Sequence, residues 1–434
     1  MLPDRVSVLV AGGGASGFMT AIAAAEAGVA DVHLLEATLE PLQKVRISGG
    51  GRCNVTHACW DPRTLVGQYP RGERALRGPF SRFASGDAVA WFEAHGLELV
   101  EEADGRMFPR SNSSESVVAS LRQAARRAGV QLHIGSSLQT VSSSSGGFEG
   151  VVRCSTERVH QRSSAEVRRQ PLACRRLVLA TGGHPSGRQL AMGLGHRLVP
   201  PVPSLFSLAL ADRALLQLAG VAMDPVDLQL KLQSPSGESP LYRQRGAVLI
   251  THKGLSGPAL LKLTAFAARD LKAAGYTGEL VVNWAGPRSS SELEALIDRL
   301  RHEQARRQLG RWRPWSDLSR RLWWHLLAAA DVDAQLRWAE LRRTQQQALV
   351  QALSASRYAI AGRGPFGEEF VTAGGVDLAE INMATMESRV CPGLQVVGEL
   401  LDVDGITGGF NFQHCWTSGW LAAQALAAAQ QQAS

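Results

Sequence analysis

The sequence predicts an α/β chain built on a parallel sheet, with a β-rich, barrel-like insert and a helical segment inside it. Three observations carry that expectation. The chain opens on a strand, a glycine-rich turn and a helix, "VSVLVAGGGASGFMTAIAAAEAG", Val6 to Gly28. It closes on a second strand–glycine–helix run, "CPGLQVVGELLDVDGITGGFNFQHCWTSGWLAAQAL", Cys391 to Leu426. Between them, from residue 201 to 288, the patterning turns to short apolar strands such as "VDLQLKL", "GAVLITHKG" and "GELVVNW".

The opening run is the most specific of the three. Val6–Val10 is continuously apolar, as a strand buried on both faces should be. Gly12, Gly14 and Gly17 follow at the G-x-G-x-x-G spacing, with Ala15 and Ser16 between them at the helix start. The first glycine suits the tight turn, the second a close approach to a pyrophosphate, and the third helix–strand packing. A free helix N-terminus presents N–H groups to phosphate. The next strand, "DVHLLE", ends at Glu36, where a carboxylate would accept from ribose hydroxyls and disfavour a 2′-phosphate.

A plain NAD dehydrogenase needs only that element. Here a strand running into Thr181, Gly182 and Gly183 ("RRLVLATGG") supplies a second, and the closing run supplies a third. In the closing run, Gly398 and Glu399 end a short strand, and a helix begins near Gly408–Gly409. Such a helix start could stabilise negative charge at the N1–C2 edge of a flavin, aided by the amides of Asn411 and Gln413, while Glu399 bonds the ribitol. The expected cofactor is therefore FAD.

The stretch "ISGGGRCNVTHAC" allows more than one function. Gly49, Gly50 and Gly51 offer bare backbone to a planar ring, and Arg52 and Asn54 offer donors. A redox disulfide is the rival. Five residues separate Cys53 from Cys59, too wide for the flavoprotein dithiol, and "ATGGHPSG" is not a second full fingerprint, so Cys53 reads as a small packed residue.

Between Glu36 and Arg175 helices alternate with strands. The serine run at 142–147 reads as a hairpin tip, and the polar stretch 161–171 as an exposed loop. Residues 289–352 read as helical, with tryptophans inside and arginines outside, "LSRRLWWHLLAAADVD" being the clearest face. The expected domains are 1–200 with 372–434, which bind the dinucleotide; 201–288 with 353–371, which are β-rich and contact substrate; and the helical 289–352.

Composition narrows the classes. A chain of 434 residues exceeds one ordinary core. Its 45% hydrophobic and 20% charged residues are those of a water-soluble protein, and no stretch reaches the length of a membrane span. Six scattered cysteines make no disulfide scaffold, and Asp4 beside Arg5 argues against a signal peptide, so a cytoplasmic setting is expected. No H-x-H or H-E-x-x-H spacing occurs, so no metal is expected. The formal charge of +7 suits an anionic small ligand as well as a nucleic acid.

Seven motifs in order, "ISGGGRCNVTH", "GRMFPRS", "ATGG", "THKGLSGPALLKL", "VTAGGV", "TMESR" and "GELLDVDGITGGFNFQ", resemble a family of bacterial FAD flavoproteins that includes enzymes similar to aminoacetone oxidase and to a bile-acid dehydro-reductase. The resemblance runs from Val6 to Leu426. It implies a two-dinucleotide-binding-domain fold, Rossmann-like in its FAD domain, with the β-rich and helical parts inserted. It places Gly12, Gly14 and Gly17 on the pyrophosphate and Glu36 on the adenosine ribose. Lys44 and Ser48 to Asn54 then lie along the flavin and its phosphate side. Leu138 reads adenine through backbone atoms, and Thr181–Gly183 close over the adenosine end. Gly398, Glu399 and Gly409, Phe410, Asn411, Phe412 and Gln413 hold the ribitol and the pyrimidine edge. His57 stands where the family favours asparagine, and His414–Cys415 where it favours apolar residues.

The expected activity is hydride transfer between a small organic substrate and flavin N5, with noncovalent FAD and with oxygen or NAD(P)H closing the cycle. No side chain declares itself as acid or base; His57, His414 and Arg52 are the weak candidates. Two other classes stay open: a flavin-binding protein with little turnover, and a nucleic-acid-modifying flavoprotein drawing on the arginines of 299–321. A nucleic acid is the less favoured partner.

Overall fold

A computed structural model describes residues 2–155, 168–232, 240–364 and 371–432. The chain divides into two compact units, Met1–Pro201 with Val371–Ser434, and Val202–Phe370.

The first unit is built on a nine-stranded sheet. The Arg5–Ala11 strand lies at its centre, parallel to Val32–Leu35 on one side and to Arg168–Leu179 on the other. Leu9 faces both His33 and Leu177 in register. Gln131–His133 extends the sheet beyond Val32–Leu35, and Leu394–Val396 extends it beyond Arg168–Leu179, both parallel. Parallel strands need crossovers, and the helices Ala15–Glu26 and Ser114–Arg127 fall within those connections. Their small or apolar faces are buried: ten of the twelve residues of Ala15–Glu26 are out of solvent, so its alanines serve close packing. The helix Phe410–Gln431 packs along Ala15–Glu26, which brings the two ends of the chain together.

The hairpin expected at 142–147 joins the strands Ser136–Ser144 and Gly147–Cys154. The loop expected at 161–171 is corrected in part. Residues 161–167 lie outside the described residues, but Arg168 to Pro171 begin the long Arg168–Leu179 strand, paired antiparallel with Gly147–Cys154. Its inward residues Gln170, Leu172 and Cys174 alternate with outward Arg169, Pro171, Ala173 and Arg175, a period of two that the arginines mask.

The second unit contains a closed barrel. Leu208–Leu210, Gly254–Ser256, Leu241–Ile250, Ala222–Lys231, Gly278–Asn283 and Ser356–Arg363 pair in that cyclic order. Closure leaves no free sheet edge among these strands. The helices Ser290–Glu303, Arg320–Ala329 and Arg343–Ser354 share one apolar core with the barrel, running from Phe206 through Trp284 and Trp323 to Ile360. The expectation that the tryptophans point inward holds for Trp323 and Trp338, which are buried and stacked on each other. It fails for Trp312 and Trp324, which are 39% and 52% exposed. The buried stripe of that helix is Leu322, Trp323, Leu326 and Leu327, and Trp324 falls just outside it.

Candidate functional site

The glycine turn after the first strand is closely packed. Gly12 has a φ of 120°, and a Cβ there would lie 2.4 Å from the Ala180 carbonyl oxygen. A Cβ on Gly17 would lie 1.9 Å from the carbonyl oxygen of Gly12. A Cβ on Gly14 would meet nothing within 4 Å, so the middle glycine faces open space. No side chain caps the helix that follows. Glu36 is oriented from behind: its carboxylate accepts from the Gly13 N–H at 3.1 Å and from the N–H and hydroxyl of Thr38, both at 2.7 Å. Thr38 was not singled out in the sequence; its hydroxyl two positions after the acid was the available signal.

The far end of the chain meets this turn. A Cβ on Gly398 would lie 2.4 Å from Ser16 Oγ, and one on Gly419 2.7 Å from the Ser16 carbonyl oxygen. Cys415 sits at the same junction, and burial pushes its thiol up to about 12. Glu399 accepts from Lys44 Nζ at 2.6 Å and from the Thr372 N–H at 3.0 Å. Gly183 lies against the same carboxylate. The fold therefore brings Lys44, Gly182–Gly183, Thr372 and Glu399 into one cluster from four separate stretches of sequence. Thr372, inside "VTAGGV", went unrecognised as a member. The Thr181 hydroxyl is buried there without a hydrogen-bond partner.

The second glycine element is built differently. Ser48 is extended and Gly49 and Gly50 are left-handed, which kinks the chain out of helix. Gly50 and Gly51 face open space. Cys53 is fully buried at a φ of 60°, and desolvation raises its thiol to about 12, so it packs as an inert sulfur. Asn54 Oδ1 is buried without a partner beside Gly409, where a Cβ would approach it to 2.8 Å.

Gly409, at a φ of 93°, starts the Phe410–Gln431 helix, again without a side-chain cap. Two expected donors do not reach outward. The Gln413 N–H closes on the Gly409 carbonyl at 3.0 Å, and its side chain is held between Thr56 and Thr417. The Asn411 amide pairs with both backbone groups of Gly405 at 2.9 Å. Both side chains hold the loop in place, and the outward donors at this helix start are the backbone N–H groups of Phe410 to Phe412. Tyr69 fixes the same turn through its hydroxyl on the Phe410 carbonyl, and Arg71 forms a buried pair with Asp404 in the preceding loop. Neither was identified from sequence, because partners more than 300 residues apart leave no local pattern.

The three weak catalytic candidates separate. Arg52 donates to Glu102 at 2.6 Å and lies over the Phe108 ring, so its guanidinium is committed to the protein. His414 is buried, its Nε2 on the Gly398 carbonyl at 3.2 Å, and burial lowers it to about 4. His57 is half-buried and stacked on Phe410, ring centroids 4.7 Å apart. Leu138 is buried in the hairpin opposite Val152. The start of its strand is tied to Glu36, whose carbonyl accepts from Ser136 N–H. Among the described residues, no group of three or more His, Cys, Asp or Glu could hold a metal, and no helix is long and apolar enough to cross a membrane.

A dinucleotide fits what is present. Two helix starts lack protein caps, three glycines face open space, and the buried oxygens of Thr181 and Asn54 lack partners. A parallel sheet with this cradle at its strand ends defines an FAD-binding flavoprotein. More narrowly, the chain belongs to the family described as HI0933-like protein Rossmann domain, which matches residues 6–425. It is 30% identical to the 3-dehydro-bile acid delta(4,6)-reductase of Clostridium scindens, over 98% of this chain and 99% of that one. It is 29% identical to the ribosomal RNA dihydrouridine synthase of Escherichia coli, again over 98% and 99%. Among solved structures, the quinol fumarate reductase of Escherichia coli resembles it in fold, at a TM-score of 0.50 and 14% identity, over all of this chain and 72% of that one.

Proposed function

We propose that this flavoprotein is a reductase that saturates a carbon–carbon double bond conjugated to a carbonyl, with noncovalent FAD, once reduced by NAD(P)H, as the hydride donor. The observation that carries the proposal is the shared chemistry of two relatives matched over nearly their whole length. A 3-dehydro-bile acid delta(4,6)-reductase and a dihydrouridine synthase, by their names, both saturate an alkene next to a carbonyl. When bound and reduced by NAD(P)H, FAD would supply the hydride from N5.

The chain's own residues bind and orient. Gly12–Gly17 and the helix behind them take the pyrophosphate, Glu36 the adenosine ribose, and Leu138 with Thr181–Gly183 the adenine end. Lys44, paired with Glu399, neutralises charge beside the ribitol. Gly49–Gly51 give the ring a flat backbone to lie on. The N–H groups of Phe410 to Phe412 face the negative edge of the flavin. The reaction also needs a proton at the α-carbon. His57 is the candidate donor, since His414 is sealed in the core and Arg52 is held by Glu102.

Anaerobic addition of NADH or NADPH, then of an enone panel, tests this. Flavin bands should bleach with one nucleotide and return with an enone, whose product gains two hydrogens by mass. Bleaching by amines alone, with oxygen consumed on reoxidation, would show an oxidase instead. A second substrate form, the uracil ring within RNA, is favoured by the dihydrouridine synthase relatives. Nucleoside mass spectrometry of RNA incubated with enzyme and NAD(P)H separates it from the small-molecule form.

A further inference from the structure

We propose that the arginine–tryptophan face of the Val202–Phe370 unit docks single-stranded RNA. Three features of that face converge. The first is charge. Residues 299–321 contain eight arginines against two acids, Glu303 and Asp317, in a protein whose whole formal charge is +7. Arg301 leans on Asp298, but Arg306, Arg311 and Arg320 pair with no carboxylate among the described residues. On the barrel strands of the same unit, by contrast, Arg245 meets Asp227 and Arg357 meets Glu279.

The second feature is aromatic. Trp324 is 52% exposed, yet its indole N–H is held by the Gly310 carbonyl at 2.8 Å. That bond sets the ring beside the turn that carries Arg311 and Trp312. Trp312 is itself 39% exposed and lies under the Arg307 guanidinium at 5.3 Å. Exposed rings fixed in place lose little freedom when a base stacks on them.

The third feature is a cleft of about 370 Å³ lined by Arg213, Leu216, Gln217, Ala219, His252 and Arg321. Arg321 is fixed at its edge by bonds to the Gln217 and Ala219 carbonyls, at 2.6 and 3.3 Å. Arg321 is one turn from Trp324 on the same helix, so a cationic cleft and a stacking ring adjoin. No carboxylate lines the cleft. Phosphates in a cationic groove with bases on aromatic rings is the pattern by which single strands are bound. A folded protein partner would be expected to bring acids to such a face, and an anionic membrane would leave the cleft unused.

The inference deepens the RNA form of the proposed reaction and rests on it for the choice of probe. Its test reads binding, so either can fail alone. Fluorescence anisotropy of a short labelled oligouridylate with the intact, FAD-loaded protein should show saturable binding that weakens as salt rises. Arg311→Gln with Arg320→Gln should weaken it on the order of tenfold and flatten the salt dependence. Trp324→Ala should weaken it by about tenfold with the salt dependence kept. Unchanged melting temperature and flavin content in the arginine variant show that the fold is intact. If Trp324→Ala does not fold, Trp312→Ala serves. Equal binding by wild type and the arginine variant, no binding by wild type, or binding only to vesicles of anionic lipid would each overturn the proposal. Loss of RNA binding with enone turnover intact would separate the surface from the chemistry.

Discussion

The two units solve the problem of placing polar groups in opposite ways. In the dinucleotide-binding unit, polar side chains are held by partners far away in sequence, Gln413 by Thr56 and Arg71 by Asp404 in the interior, and Glu399 by Lys44 and Thr372 nearer the surface. In the barrel unit, apolar side chains fill one continuous core, and charge is pushed outward to an arginine-rich face. The difference teaches where each kind of damage should be felt. Changes in the first unit should disturb the cofactor, whereas changes in the second should disturb stability or docking and leave the flavin bands in place.

Gly17→Ala should be the most severe test. Its Cβ would overlap the Gly12 carbonyl at 1.9 Å, where backbone cannot retreat, and the loss should exceed about 4 kcal/mol. Purified protein should lack flavin absorbance. Its counterpart in the barrel unit is Trp323→Ala, which empties a stacked, hydrogen-bonded core position and should cost about 3–5 kcal/mol in denaturant titrations. Protein that remains folded should still be yellow; a colourless folded variant would break the comparison.

Charge pairs allow a second contrast. Asp404→Asn leaves Arg71 buried without its counter-charge and should destabilise by about 3–5 kcal/mol. The exposed Arg245–Asp227 pair on the barrel is solvated, so Arg245→Gln should barely move the melting temperature.

The effect of pH is smaller. His414 and His133 are both lowered from 6.5 to about 4, chiefly by burial. The unfolded chain therefore binds more protons than the folded one between those values. Stability should be full above about pH 6.5 and fall as pH drops towards 4, by on the order of 3 kcal/mol for the fully buried His414. His414→Leu removes a buried nitrogen that has no partner, and should flatten that part of the profile in thermal melts.

Much of the architecture was legible because it rests on local rules. A continuous apolar run, three glycines at fixed spacing and a terminal acid specify a parallel strand, a turn and a helix with little help from elsewhere. The same locality marked the barrel strands and the helix start at Gly409. Chemical roles were less legible. Arg52, Asn411 and Gln413 carry the right groups for a ligand, yet each side chain is hydrogen-bonded to another part of the protein. The 168–171 segment looked like a loop because its arginines hide an alternation that only the pairing with Gly147–Cys154 makes visible.

What the sequence determined by itself is the set of backbone conformations that only glycine or a helix start can supply, and with them the class of cofactor. What the tertiary structure decided is which of the candidate side chains are bonded to distant parts of the chain. The physical reason is range. Backbone preferences act over a few residues, whereas a hydrogen bond between Thr56 and Gln413, or an ion pair between Arg71 and Asp404, exists only once segments over 300 residues apart are packed together.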